Sequence, residues 1–200
     1  MVRSLRKRGH TIDSIAHFGD TLTQIAAAGD YKSALEKTNY DVFLLCGSGN
    51  DLLGGGDLYR HLRVYDKDRE PEDYLKASFF TKLAHMETLY CEIIEETLEH
   101  SQNGDIKILS HGYDYAFPQN GYWIGKPMAR QGILKQKLGK KIVVVMIDHL
   151  YGMLRRVKFQ YPGRFDYANF RGIVGSRWHD ELHPKKKAFK DLAKKLEKKF

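Results

Sequence analysis

Two cysteines, Cys46 and Cys91, in 200 residues make neither a disulfide framework nor a cysteine metal site. So few suit a reducing compartment. Long apolar runs are also missing. The longest, Ile142 to Ile147, is far too short to span a bilayer, which excludes a transmembrane segment of the helical kind. The first ten residues, MVRSLRKRGH, are basic and lack the apolar stretch of a secretory signal, so the expected compartment is the cytoplasm. No internal repeat is present. The chain is basic overall, at +8, yet the lysine-rich end lacks the interleaved arginines and aromatics that stack on bases. No nucleic-acid partner is therefore expected.

What is present suits one folded domain over residues 1–200. Hydrophobic residues make up 42% and aromatics 12%, which argues against disorder. The charge is concentrated at the ends. The first ten residues carry +4 and residues 185–200 carry +6, so residues 11–184 hold −2 of the total of +8. The terminal segment reads as a basic C-terminal helix over 185–200 with a solvated face.

Strand and helix patterns alternate along the chain. The stretch 11–18 (TIDSIAHF) is a candidate strand, and the apolar spacing from Thr21 to Lys37 predicts a helix. DVFLLC, 41–46, is a short apolar run ending in glycines, as a buried parallel strand should be. A helical period runs from Tyr74 to His100 and stops at Asn103-Gly104. A strand is expected at 106–109, a loop rich in glycine and aromatics over 113–132, and an amphipathic helix over 141–157. A further strand is expected within 164–173, and a last helix over 185–199. The charged stretch 66–73 (DKDREPED) reads as an exposed insertion. This alternation predicts an α/β fold with a mostly parallel sheet, whose ligands sit beyond the carboxyl ends of the strands.

Three segments follow the expected strands. GSGNDLLGGG, 47–56, is glycine-rich, but it matches neither the dinucleotide fingerprint nor a P-loop. Its Asn50 either presents an amide as a hydrogen-bond donor at the strand tip or, with Asp51, caps the next helix. SRWHDELHP, 176–184, places Asp180 three residues before His183, a spacing that lets a carboxylate orient an imidazole for base catalysis. A plain surface loop is one alternative, and a metal pair from His179 and His183 a weaker one, because Pro184 disfavours helical geometry there and the zinc-protease order of residues is absent. ILSHGYDYAFP, 108–118, contributes His111, Tyr113 and Tyr115. With Trp123, these tyrosines either line a pocket or pack a lid.

Taken in order, Gly19, Gly49-Asn50-Asp51 and Asp180-x-x-His183-Pro184 resemble the SGNH, or GDSL-type, hydrolase family across nearly the whole chain. The resemblance implies a flavodoxin-like three-layer α/β/α sandwich and serine ester hydrolysis of a small-molecule ester. It implies His183 as base and Asp180 as its partner, with the Gly19 N–H and the Asn50 amide as oxyanion donors. No metal or organic cofactor is implied. The family's first strand, with its Gly-Asp-Ser nucleophile, has no counterpart in these residues. HFGDTLTQ, 17–24, matches the family's glycine segment instead, which makes Thr21 a helix-start residue. Two alternatives stand beside an esterase: an inactive binding or scaffold protein of this fold, and a phosphate or nucleotide binder using 47–56. Loss of the first strand would leave an apolar slot and an open sheet edge.

Overall fold

The computed structural model describes residues 1–200 as an α/β fold. A parallel three-stranded sheet, β1 (Val42–Leu45), β2 (Lys107–His111) and β3 (Phe165–Ala168), runs in the order β1-β2-β3. Leu45 sits opposite Ser110, and His111 opposite Ala168, so all three strands end at nearly the same level. Around the sheet lie α1 (Val2–Arg6), α2 (Leu22–Ala28), α3 (Asp30–Lys37), α4 (Gly49–Leu53), α5 (Ala77–His100), α6 (Gly125–Arg130), α7 (Gln136–Gln160) and α8 (Lys186–Glu197). No helix is long and apolar enough to cross a membrane.

The two long helices are the crossovers of the sheet. Helix α5 buries Phe79, Leu83, Met86, Tyr90, Ile93, Ile94 and Thr97, a stripe at three- and four-residue spacing. Helix α7 buries Ile142, Val143, Met146, Leu150, Met153, Leu154 and Val157 in the same way. Each large apolar side chain so buried contributes about 1.5–3 kcal/mol. The two helices pack on each other, and right-handed crossovers in one direction along the sheet place both on one face. Helix α8 lies against β3, and α1 packs on α8.

Several expectations change. The helix expected over 21–37 is two helices, because Gly29 adopts a left-handed conformation (φ 63°) and ends α2. Residues 49–53, read as part of a glycine-rich turn, form α4, and α6 lies within the expected loop 113–132. Residues 11–18 do not form a strand. A strand exists only where a second backbone takes its hydrogen bonds, and none does here. The segment nevertheless lies alongside β1. The Tyr40 hydroxyl donates to Asp13 at 2.7 Å near one end, and Asn50 Nδ2 donates to the Asp20 carbonyl at 2.9 Å near the other. No backbone bond joins 11–20 to β1. Strand β1 is therefore an edge, and Ile15 (42% exposed) and Phe18 (101%) face solvent beside it.

Candidate active site

The chain leaves each parallel strand at the same end of the sheet, and the three loops that follow carry most of the residues singled out by the sequence; Gly19 and Thr21 lie ahead of β1. The first loop turns from β1 into α4 through Gly47, Ser48 and Gly49. It is tight. A Cβ on Gly47 would run into the Leu22 side chain, and one on Gly49 would stand 2.6 Å from the Tyr113 hydroxyl. That hydroxyl donates to the Gly47 carbonyl at 2.9 Å and accepts the Gly49 N–H at 3.0 Å. The Gly49 N–H is thus already committed. Ser48 takes φ 80°, the one non-glycine residue with positive φ, and is fully buried with its hydroxyl on the Gly47 carbonyl.

Asn50 and Asp51 stand within α4, and neither caps it. Asp51 instead receives the Leu22 N–H on both carboxylate oxygens, at 3.0 and 3.1 Å, at the start of α2. A carboxylate at a helix N-terminus satisfies an orphan donor and the helix dipole together. This bond holds residues 19–22 against Asn50. Gly19 has φ 92°, a conformation that favours glycine, and its N–H makes no hydrogen bond within the chain. The Asn50 amide has two hydrogens, and one goes to the Asp20 carbonyl. The other makes no hydrogen bond within the chain. Gly19, Thr21 and Asn50 line one cleft of about 370 Å³ with Thr23, Lys82 and His85.

Thr21 caps α2. Its hydroxyl accepts the Gln24 N–H at 3.3 Å, and the Gln24 side chain accepts the Thr21 N–H at 2.9 Å, a reciprocal capping box.

The loop after β3 carries Asp180 and His183. It is closed at its base, where Trp178 pairs with Pro184. The His179 N–H donates to the His183 carbonyl at 2.7 Å, and the Lys185 N–H to the Arg177 carbonyl at 2.7 Å. His179 and His183 consequently lie on a looped backbone and not on one helix face. At the tip, Asp180 Oδ1 accepts the N–H groups of Leu182 (2.9 Å) and His183 (2.8 Å). The same carboxylate takes His183 Nδ1 at 2.8 Å on Oδ2. Burial works to raise the Asp180 pKa, but the two backbone donors and the imidazole outweigh it and hold the carboxyl below its usual value. Asp180 thus stays ionised and fixes Nδ1–H as the donor. His183 Nε2 makes no bond within the chain, and the side chain is 47% exposed.

The third loop, after β2, joins the other two. Tyr122 donates to the Gly55 carbonyl at 2.7 Å, beyond α4, and the Trp123 ring meets the His183 ring edge-to-face at 5.5 Å. Glu181, between the two dyad residues, is 2% exposed. Its Oε1 accepts the N–H groups of Gln119 (2.9 Å) and Gly125 (2.7 Å), and its Oε2 those of Trp123 (3.2 Å) and Ile124 (3.0 Å). Residues 117–132, within the loop expected over 113–132, are therefore a fixed wall beside His183. The segment leading into the 66–73 insertion is tied to the same wall, through the Tyr65 N–H and the Gln131 carbonyl at 2.6 Å. Tyr113 proves to be a support for the Asn50 turn, and Trp123 a neighbour of His183. His111 stacks on Phe170, with ring centres 4.8 Å apart.

The sequence matches no protein-family model and no curated protein. Solved structures do resemble it. A lipase from a goat rumen metagenome superposes with a TM-score of 0.62 at 18% identity, covering 98% of this chain and 85% of that one. An extracellular lipase from Streptomyces rimosus superposes with a TM-score of 0.53 at 12% identity, covering 89% and 77%. The fold is thus one that lipases share.

Proposed function

We propose that this chain carries the base and the oxyanion donors of an SGNH-type ester hydrolase acting on a small-molecule ester. The observation that carries the reading is the Asp180–His183 pair, ionised on one side, open at Nε2 on the other, and set beyond the carboxyl end of the sheet. The lipase-like fold supports it. His183 takes the proton of an attacking hydroxyl as that oxygen adds to the ester carbonyl. The Gly19 N–H and the second Asn50 amide hydrogen donate to the oxyanion that forms. Imidazolium then protonates the leaving alkoxide, and water repeats the sequence on the acyl-enzyme. Asp180 stabilises the imidazolium and transfers no proton.

The attacking hydroxyl is not among residues 1–200. Thr21 is held in its capping box, and no serine hydroxyl bonds to His183. The unpaired edge of β1, with residues 11–18 running beside it, is where a strand bearing a Gly-Asp-Ser turn fits. The test grafts such a strand ahead of Met1 and follows p-nitrophenyl acetate hydrolysis. The chain alone is expected to be inactive and the grafted chain active. His183→Ala should nearly abolish turnover. Asn50→Ala should lower kcat by roughly 100- to 1000-fold with KM little changed, since that donor binds charge present mainly in the transition state. Full kcat in Asn50→Ala would remove the oxyanion assignment. Turnover by the ungrafted chain that disappears in Thr21→Ala would make Thr21 the nucleophile.

A further inference from the structure

The two basic ends of the sequence, far apart along the chain, form one surface. Helix α1 packs on α8, and Arg8 Nε reaches Glu197 at 2.6 Å, with His10 Nε2 on the same carboxylate at 2.8 Å. Helix α8 turns Ala188, Leu192, Ala193 and Leu196 inward. Its outward half presents Lys186, Lys187, Lys190, Lys194, Lys195 and Lys198, all exposed. Arg3, Arg6 and Lys7 of the adjoining N-terminal segment are exposed as well. Both acidic residues of the terminal segment are engaged from within the protein: Asp191 by Arg177 at 2.5 Å, and Glu197 by Arg8, with His10 hydrogen-bonded to the same carboxylate. The segments 1–10 and 185–200 together hold +10, against −2 for the rest.

We infer that this α1–α8 face docks on an anionic lipid surface. The face is the side of a helix about 18 Å long, broad and outward-turned, not a groove that tracks a strand. Its cations are mainly lysines, which act as point charges and lack the flat fork that pairs with bases or phosphates two bonds at a time. No exposed aromatic interrupts the lysines to stack a base; Phe200, 38% exposed, lies at the end of the helix. Unstructured attraction to a sheet of negative headgroups needs only charge density, and each lysine or arginine near such a surface strengthens binding roughly fivefold. Helix α8 begins three residues after His183, so a bilayer gripping this face lies next to the dyad loop.

The experiment is co-sedimentation of the 200-residue chain with phosphatidylcholine vesicles, and with vesicles of phosphatidylcholine and phosphatidylserine in equal parts. Binding to the mixed vesicles only, released at high salt, is expected. The variant K186E/K190E/K194E should lose it by at least a hundredfold with an unchanged thermal melt. Should that variant melt early, K186Q/K190Q/K194Q removes the charge without reversing it and should weaken binding in the same sense. Equal binding to both vesicle types, or none to either, overturns the inference. So does tight binding to a DNA duplex with no binding to vesicles. None of these readouts depends on ester hydrolysis, so the lipid surface and the catalytic reading stand or fall separately.

Discussion

Replacing Glu181 by alanine should destabilise the protein more than any ordinary loop substitution. The carboxylate is 2% exposed and accepts four backbone N–H groups, from Gln119, Trp123, Ile124 and Gly125. Gln119 is exposed and can turn its N–H to water. Trp123, Ile124 and Gly125 are at least partly buried, and each buried donor left unpaired costs about 1–3 kcal/mol. Local relaxation admits some water, so a net loss of about 3–5 kcal/mol is expected. For a domain of this size that is a fall in Tm of about 6 to 20 °C, at roughly 2–4 °C per kcal/mol. Glutamine keeps one carbonyl oxygen, enough for two of the four donors, and sets its NH2 against the other two. Glu181→Gln should therefore also destabilise, without rescuing the loop. Differential scanning calorimetry gives the Tm. Acrylamide quenching reads whether Trp123 has come loose, since Trp178 is only 9% exposed. A Tm for Glu181→Ala within about 2 °C of the parent would refute the clamp.

Two further outcomes are expected. Thr21→Ala removes the capping box of α2 and should cost about 1 kcal/mol, or roughly 2–4 °C in Tm, while Thr21→Ser should retain most of it; an unchanged melt in both would show that the box is idle. Cys46 is an exposed residue, yet the protein massed around its thiol raises the pKa to about 11, and the Met1 ammonium only partly offsets this. The thiolate fraction then rises tenfold per pH unit, so alkylation of the Cys46 peptide, read by mass spectrometry, should speed up about a hundredfold from pH 7 to 9. Levelling near pH 8.5, as for an ordinary thiol, would contradict the raised value.

What the sequence discloses follows the range of the interactions involved. Helices α5 and α7 were legible because their apolar period is local, and β1 because an apolar run ending in Gly-Ser-Gly has few other uses. The Asp180–His183 hydrogen bond was legible because the two residues are three apart and meet through a turn. The break at Gly29 was visible as a glycine but not as a stop, since the apolar period continues through it. Residues 11–18 misled: they have a strand's pattern, but pairing depends on a backbone elsewhere. The Glu181 clamp was illegible for the same reason. Its partners lie 56 to 62 residues away, and nothing in "HDELHP" marks the glutamate off from a surface residue. The two basic ends could be counted, but their union required the packing of α1 on α8.

The unpaired edge of β1 also bears on how the sheet would respond to an added strand. Residues 13–20 are tied to the two ends of the β1 segment by side-chain bonds, Tyr40 to Asp13 and Asn50 to Asp20, with no backbone ladder between. On the proposed reading, a strand added between β1 and residues 11–18 would pair on both sides at once, giving β1 a second neighbour and residues 11–18 a first. Binding and the ordering of 11–18 thereby become a single cooperative event. Hydrogen-exchange protection should then appear together in β1 and in residues 11–18, at the same concentration of added strand, with no intermediate in which one is sealed and the other still exchanges freely.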